Sequence, residues 1–164
     1  MLRYQKAVQG MALRLLGSQD DARDAAQEVF LRLYRYAGSI DASRPLRPWL
    51  YSVTMNVCRD VLRRRGAEEA RVDRSGAEYA AADPGASADD GAIAAQRQRL
   101  LRQALVKMPE RERLAIVLRD VEGFDTREVA RMLGTSEVTI RSQVSRGRLR
   151  LKRLVDRLTK RSRP

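Results

Sequence analysis

The chain has 164 residues and a formal net charge of +12, from 33 Lys and Arg against 21 Asp and Glu. It has no histidine and a single cysteine, Cys58, which removes imidazole acid–base chemistry, histidine metal ligands, intrachain disulfides and cysteine-rich zinc sites. The length allows one ordinary domain or two small ones, and the basic balance favours a polyanionic partner. No apolar run approaches ~18 residues and no signal peptide is evident, so the expectation is a soluble, cytoplasmic protein. The carboxylates show no catalytic pairing or metal-ligand spacing, so no enzyme, cofactor or metal is expected.

Charge is uneven along the chain. Residues 1–66 carry twelve basic and six acidic side chains, residues 67–96 two and seven, and residues 97–164 nineteen and eight. The first expected helix covers residues 2–16, with Tyr4, Val8, Met11, Ala12, Leu15 and Leu16 near one face, and Gly17 ends it. Ser18 or Asp20 caps a second helix running to about Tyr36, in which Val29, Phe30, Leu33 and Tyr34 follow Ala22, Ala25 and Ala26. Its polar side shows Asp21, Asp24, Gln27 and Glu28. Acids near a helix N-terminus suit the dipole, so dipole duty and partner contact weigh equally on the residues alone. Gly38 to Arg44 reads as a loop. A third helix is expected from about Pro45 to Arg65, with Pro48 tolerated in the first turn. Trp49, Leu50, Val53, Val57, Val61 and Leu62 form its apolar stripe. Tyr51, Asn56, Arg59 and Arg63 to Arg65 form its polar side. Cys58 reads as an inert thiol.

Residues 66–92 are Gly, Ala and Asp with almost no large apolar side chain, the composition of a flexible linker. An amphipathic helix from Ile93 to Met108 follows. Pro109 opens another, through Leu114, Ile116, Val117, Leu118 and Val121, closed by Gly123. Two further helix starts come in quick succession. Asp125 with Glu128 forms a capping box for a short helix that buries Val129, Ala130 and Leu133 and stops at Gly134. Ser136 caps a longer cationic helix containing Val138, Ile140, Val144, Leu149 and Leu151. This pattern predicts a helix-turn-helix, with Ala130 at the close crossing and Ile140 filling the angle. Glu137, Thr139, Arg141, Ser142, Ser145 and Arg146 would then face the major groove. Arg can bond guanine bidentately, and Ser or Thr can reach bases or phosphates. The fold class expected is all-α, two small helical lobes joined by a flexible linker. Each lobe is small enough to be marginal alone.

Taken together, these residues resemble the bacterial extracytoplasmic-function (ECF, group IV) RNA polymerase sigma factors. Asp21-Ala-Arg-Asp-Ala-Ala-Gln-Glu-Val-Phe-Leu-Arg-Leu-Tyr34, Trp49-Leu-Tyr51 and Asn56-Val-Cys-Arg-Asp-Val-Leu-Arg-Arg-Arg65 are similar to region 2. Met108-Pro-Glu-Arg-Glu-Arg113, Leu118-Arg-Asp-Val-Glu-Gly123 and the helix-turn-helix are similar to region 4. The resemblance implies region 2 over 1–66, a linker over 67–92 and region 4 over 93–164. It implies a non-catalytic protein that binds core RNA polymerase and directs it to promoters. Asp21, Asp24, Gln27 and Glu28 would dock on the clamp coiled coil of the largest subunit. Ile40, Asp41, Ala42, Ser43 and Arg44, with Asn56, would bind the −10 element and hold a flipped base, whose extrusion costs a few kcal/mol. Arg59, Arg63 and Arg64 would meet phosphates nearby. Thr139, Arg141, Ser142, Ser145 and Arg146 would contact the −35 element, while the other side of that lobe holds the flap tip of the second-largest subunit. An anti-sigma factor is a further expected partner.

The chain departs from the family pattern at Ile40, where an aromatic residue is common, at Pro48, and at Gln143, Ser145 and Gly147. The glycine costs about 1 kcal/mol of helix propensity relative to alanine. Two rivals remain on the residues alone. A stand-alone helix-turn-helix regulator explains the second half but leaves the first without a role. A general RNA-binding protein predicts affinity set by phosphate count and salt.

Overall fold

The computed structural model describes residues 2–41, 43–72 and 91–161. Those residues form helices and turns, with no strand among them. Three helices make the N-terminal lobe: α1 (Leu2–Leu16), α2 (Gln19–Tyr36) and α3 (Leu46–Val72). Ser18 is the cap of α2, its side chain accepting from the Asp21 amide at 3.3 Å. Ala22, Ala25 and Ala26 are buried along α2, and side chains this small let neighbouring helices approach closely. Val8, Met11 and Leu15 of α1 and Leu50 and Val57 of α3 complete the centre.

Several expectations change. Helix α3 starts at Leu46, leaving Pro45 just outside, and it continues seven residues past Arg65 to Val72. The next helix begins at Gly91. The expected linker is therefore helical at both ends, and its residues 73–90 lie outside the described residues, as does the Ala42 assignment. The side chain of Ile93 also lies outside them. A short 3₁₀ turn, Ala37–Ser39, occupies the start of the expected loop. Tyr51, expected on the polar side, is buried, whereas Tyr34, expected in the core, is 76% exposed. Trp49 is partly buried against the core.

The C-terminal lobe comprises α4 (Gly91–Val106), α5 (Glu110–Ile116), α6 (Thr126–Leu133) and α7 (Glu137–Arg161). Pro109 is the residue before α5 and not its first turn. Val117–Val121 continue α5 as a wider π-helical turn, with the Glu122 amide donating to the Val117 carbonyl at 2.9 Å. Wide turns of this kind spend one extra residue and redirect the chain beyond them. Here the redirected side chains are Glu122 and Phe124. Val121 and Leu149, read as apolar helix positions, are exposed, and Val138 is 70% exposed.

Gly147 has a packing reason that propensity does not reveal. A Cβ there would lie 2.8 Å from Ile116 Cγ1 and 3.4 Å from the Glu112 carbonyl oxygen, so α7 crosses α5 too closely for alanine. Two ion pairs flank the crossing: Arg148 on Asp120 at 2.7 and 2.8 Å, and Arg150 on Glu112 at 2.7 Å. Gly147→Ala is expected to gain helix propensity yet lose about 1 kcal/mol net, because overpacking costs ~1–3 kcal/mol. A lower melting temperature checks this. A higher one would mean that the crossing relaxes freely.

Candidate nucleic-acid interface

The helix-turn-helix forms as its caps require. Asp125 Oδ1 accepts from the Glu128 amide at 2.7 Å, and Glu128 Oε2 accepts from the Asp125 amide at 2.9 Å. Both orphan amides at the start of α6 are satisfied reciprocally. Gly134 closes α6 with φ 63°, the left-handed conformation, and the Thr135 amide donates to the Ala130 carbonyl at 3.0 Å. Ser136 Oγ then accepts from the Thr139 amide at 3.1 Å and starts α7. Ile140 is fully buried between the helices beside Val129 and Ala130.

This leaves Arg141, Ser142, Ser145 and Arg146 exposed on the first turns of α7, with Thr139 half-buried. The Thr139 and Ser136 hydroxyls share a 2.9 Å hydrogen bond. Arg141 donates to Glu137 at 2.9 Å. An exposed i,i+4 pair of this kind is worth only a few tenths of a kcal/mol, so it orients Arg141 without committing it. Arg119, Thr126 and Arg148 line the adjoining cleft with Arg141. Gln143, in contrast, is buried and does not belong to the exposed set.

The residues assigned to −10 binding form two groups. Asp41 organises the loop: its Oδ1 accepts from the Ser43 amide at 3.0 Å and the Ser43 hydroxyl at 2.6 Å. These hydrogen bonds hold its carboxyl below the ordinary aspartate value. Arg44 pairs with the same side chain at 3.2 Å, and Ile40 is half-buried. On α3, Asn56, Arg63 and Arg64 are exposed. Arg63 pairs with Asp60 at 2.9 Å. Arg59 is different, because it bonds Glu110 of the other lobe.

On α2 the four assigned side chains divide. Asp24 and Gln27 are exposed, whereas Asp21 pairs with Arg65 and Glu28 with Arg32 at 2.8 Å. Glu28 is held below the ordinary glutamate value chiefly by that Arg32 hydrogen bond. Leu31 and Tyr34 are exposed and share the helical face of Asp24 and Gln27 by their spacing. Sequence periodicity misses them because it counts every apolar residue as core.

A further cluster has no signal in the sequence. Glu122 reaches from the C-terminal lobe onto the N-terminal one, accepting from Arg14 at 2.8 Å and from the Tyr51 hydroxyl at 2.7 Å. Arg47 donates to the Glu122 carbonyl. The Arg47 guanidinium lies 4.3 Å from the Phe124 ring centroid and 5.4 Å from that of Tyr51. The two rings meet edge to face at 5.1 Å. Burial, then the Glu122 carboxylate, push the Tyr51 hydroxyl up to about 12, so it remains a donor at neutral pH. Cys58, buried on α3, is likewise pushed up to about 12 by burial, an effect opposed by the Arg113 charge. It is a poor nucleophile. No helix among the described residues is long and apolar enough to cross a membrane.

Comparison with known proteins matches this architecture. The Sigma-70 region 2 family model matches residues 1–68 and the Sigma-70 region 4 model residues 98–151. The ECF RNA polymerase sigma factor SigM of Mycobacterium tuberculosis is 34% identical over 153 residues, spanning 93% of this chain and 74% of that protein. SigW of Bacillus subtilis is 26% identical, spanning 92% and 83% respectively. Among solved structures, the sigma factor RpoE of Bartonella quintana, in complex with the anti-sigma factor NepR, superposes with a TM-score of 0.75. It has 27% identity, covering 94% of this chain and 93% of that one. Two lobes in this order, a complete helix-turn-helix in the second, and relatives matched over most of their length make one conclusion: the chain belongs to the ECF RNA polymerase sigma factors.

Proposed function

We propose that this sigma factor, a group IV member, works in the cytoplasm as a non-enzymatic initiation factor that divides promoter recognition between its lobes. Region 2 covers residues 1–66 and region 4 residues 93–164, with the 67–92 segment joining them. Sigma factors direct core RNA polymerase to promoters, and the assignment of roles here follows exposure and chemistry. The observation that carries it is the α7 surface. A fully capped helix-turn-helix presents Arg141, Ser142, Ser145 and Arg146, with Thr139 beside them, and such donors suit the −35 major groove. The Ile40–Arg44 loop with Asn56, Arg59, Arg63 and Arg64 serves the −10 element. Asp24 and Gln27 engage the clamp coiled coil, with Leu31 and Tyr34 adding apolar contact, while Asp21 and Glu28 brace the same helix. The flap tip takes the opposite side of region 4. An anti-sigma factor is a fitting regulator, since the RpoE neighbour is held by NepR.

The test is a pull-down and run-off assay with purified core RNA polymerase and a promoter library. Specific initiation from a subset of promoters is expected, and Asp24→Ala with Gln27→Ala should abolish it without changing binding to duplex DNA. Sequence-specific DNA binding with no polymerase binding would instead make the chain a stand-alone regulator.

A further inference from the structure

The start of α7 carries an apolar side chain that the fold leaves uncovered. Val138 is 70% exposed, and among the described residues only Tyr34 is a more exposed large apolar side chain. Val138 takes no part in the crossing of α6 and α7, which Ile140 and Val144 fill from the other side of the helix, both buried. A β-branched residue is also a weak choice for an exposed helical turn on propensity alone. Val138, Arg141, Ser142 and Ser145 are spaced by three, four and seven residues and so share one face of α7, and all four are exposed. Arg141 turns to Glu137 at 2.9 Å, and the two serines are short, so the valine methyl groups stand open at the leading end of that face.

We propose that Val138 is a specificity residue whose methyl groups meet the 5-methyl group of one thymine in the −35 element. The proposal rests on the −35 reading of α7 and adds to it a contact of different chemistry. The thymine methyl is the apolar group that a base pair presents in the major groove, and small apolar side chains recognise it. Side chains on a helix lean towards its N-terminus, so Val138 covers the leading end of α7, over the turn capped by Ser136. The N-terminal turns of a recognition helix are those that reach base edges. Thr139, beside Val138, is half-buried and shares its hydroxyl with Ser136 at 2.9 Å, which leaves Val138 as the apolar group turned outward there. The division of labour is chemical. Arg141 seeks acceptors, the serines serve bases or phosphates, and Val138 distinguishes a base that carries a methyl from one that does not. A methyl contact involves no charge, so its contribution should not follow the salt dependence of the phosphate contacts around it.

The test uses core RNA polymerase loaded with the full chain, and promoter duplexes selected from a library randomised across the −35 element. Each thymine of the selected −35 sequence, on either strand, is then replaced singly by deoxyuridine. This removes the methyl group and leaves every hydrogen-bonding group in place. One replacement is expected to weaken binding about fourfold, equivalent to the ~0.8 kcal/mol of one methyl taken out of water. The same replacement should have no effect on Val138→Ala. It should cost Val138→Thr, which keeps the branched shape and one methyl, about twofold. Both variants change an exposed position, so their melting temperatures should match the parent. Leu149→Ala, at an exposed apolar position about three turns further along α7, should keep the parent response, and the parent response should be the same at two salt concentrations. A loss that persists in Val138→Ala would assign the methyl to another side chain and overturn the proposal. A selected −35 sequence with no methyl-sensitive thymine would also overturn it, while the success of the selection would leave the −35 reading standing. Selection of no −35 sequence at all would instead remove the −35 reading, and the role of Val138 with it.

Discussion

Replacing Ile140 by alanine is expected to remove about 2–5 kcal/mol from the folding of the C-terminal lobe, the usual range for emptying a fully buried isoleucine site. Ile140 is completely buried, sits between α6 and α7, and fixes the angle at which α7 leaves the turn. A lobe of this size has only roughly 4–11 kcal/mol in total at ordinary stability per residue. The variant should therefore be partly unfolded near physiological temperature. Trp49 is the only tryptophan and belongs to α3, so its fluorescence follows chiefly the N-terminal lobe, whereas helical circular dichroism follows both. In denaturant the two signals are expected to separate in Ile140→Ala, the dichroism falling first. Leu149→Ala, at an exposed position of the same helix, should change stability by less than about 0.5 kcal/mol. Coincident, unshifted transitions in Ile140→Ala would show that the capping box and turn hold the helix-turn-helix without the wedge.

The contrast between Ile140 and its neighbours shows what sequence reasoning can and cannot reach. Caps are local: Asp125, Glu128, Gly134 and Ser136 act on backbone groups within four residues, so their roles are legible and each bond has formed. The small residues of α2 and the apolar stripes of α1 and α3 are legible for the same reason. Sequence fails where the decisive partner is remote. Tyr51 looks polar beside Asn56 and Arg59 until Phe124 and Glu122 arrive from over seventy residues away. Gly147 looks like a weak helix residue until Ile116 occupies the space of its Cβ. Tyr34 looks like core until the helix proves to have only one covered side. The extension of α3 to Val72 is hidden because Ala67 and Glu68 fit a linker composition, although both are good helix formers. The α2 acids stand out as a set, yet only geometry separates the exposed Asp24 from Asp21, which is tied to Arg65.

Arg141→Ala is expected to weaken binding to a −35 sequence by about 1–3 kcal/mol, or roughly 5- to 150-fold, and to relax preference at one base pair. The argument starts from position. Arg141 lies in the second turn of a helix whose first turn is capped by Ser136, and the N-terminal turns of a recognition helix are those that reach base edges. Its side chain is mostly exposed and its partner Glu137 lies four residues before it. That pair competes weakly with a guanine O6 and N7, because a surface pair yields less than a bidentate base contact. Binding should be measured on a panel of −35 sequences mutated one base pair at a time, at constant salt, because the phosphate contribution changes steeply with ionic strength. A base reader loses affinity for the preferred sequence and little for those already mutated at its own position. Uniform loss across the panel, with a salt slope reduced by about one, would make Arg141 a phosphate contact and move base reading to Ser142, Ser145 and Arg146.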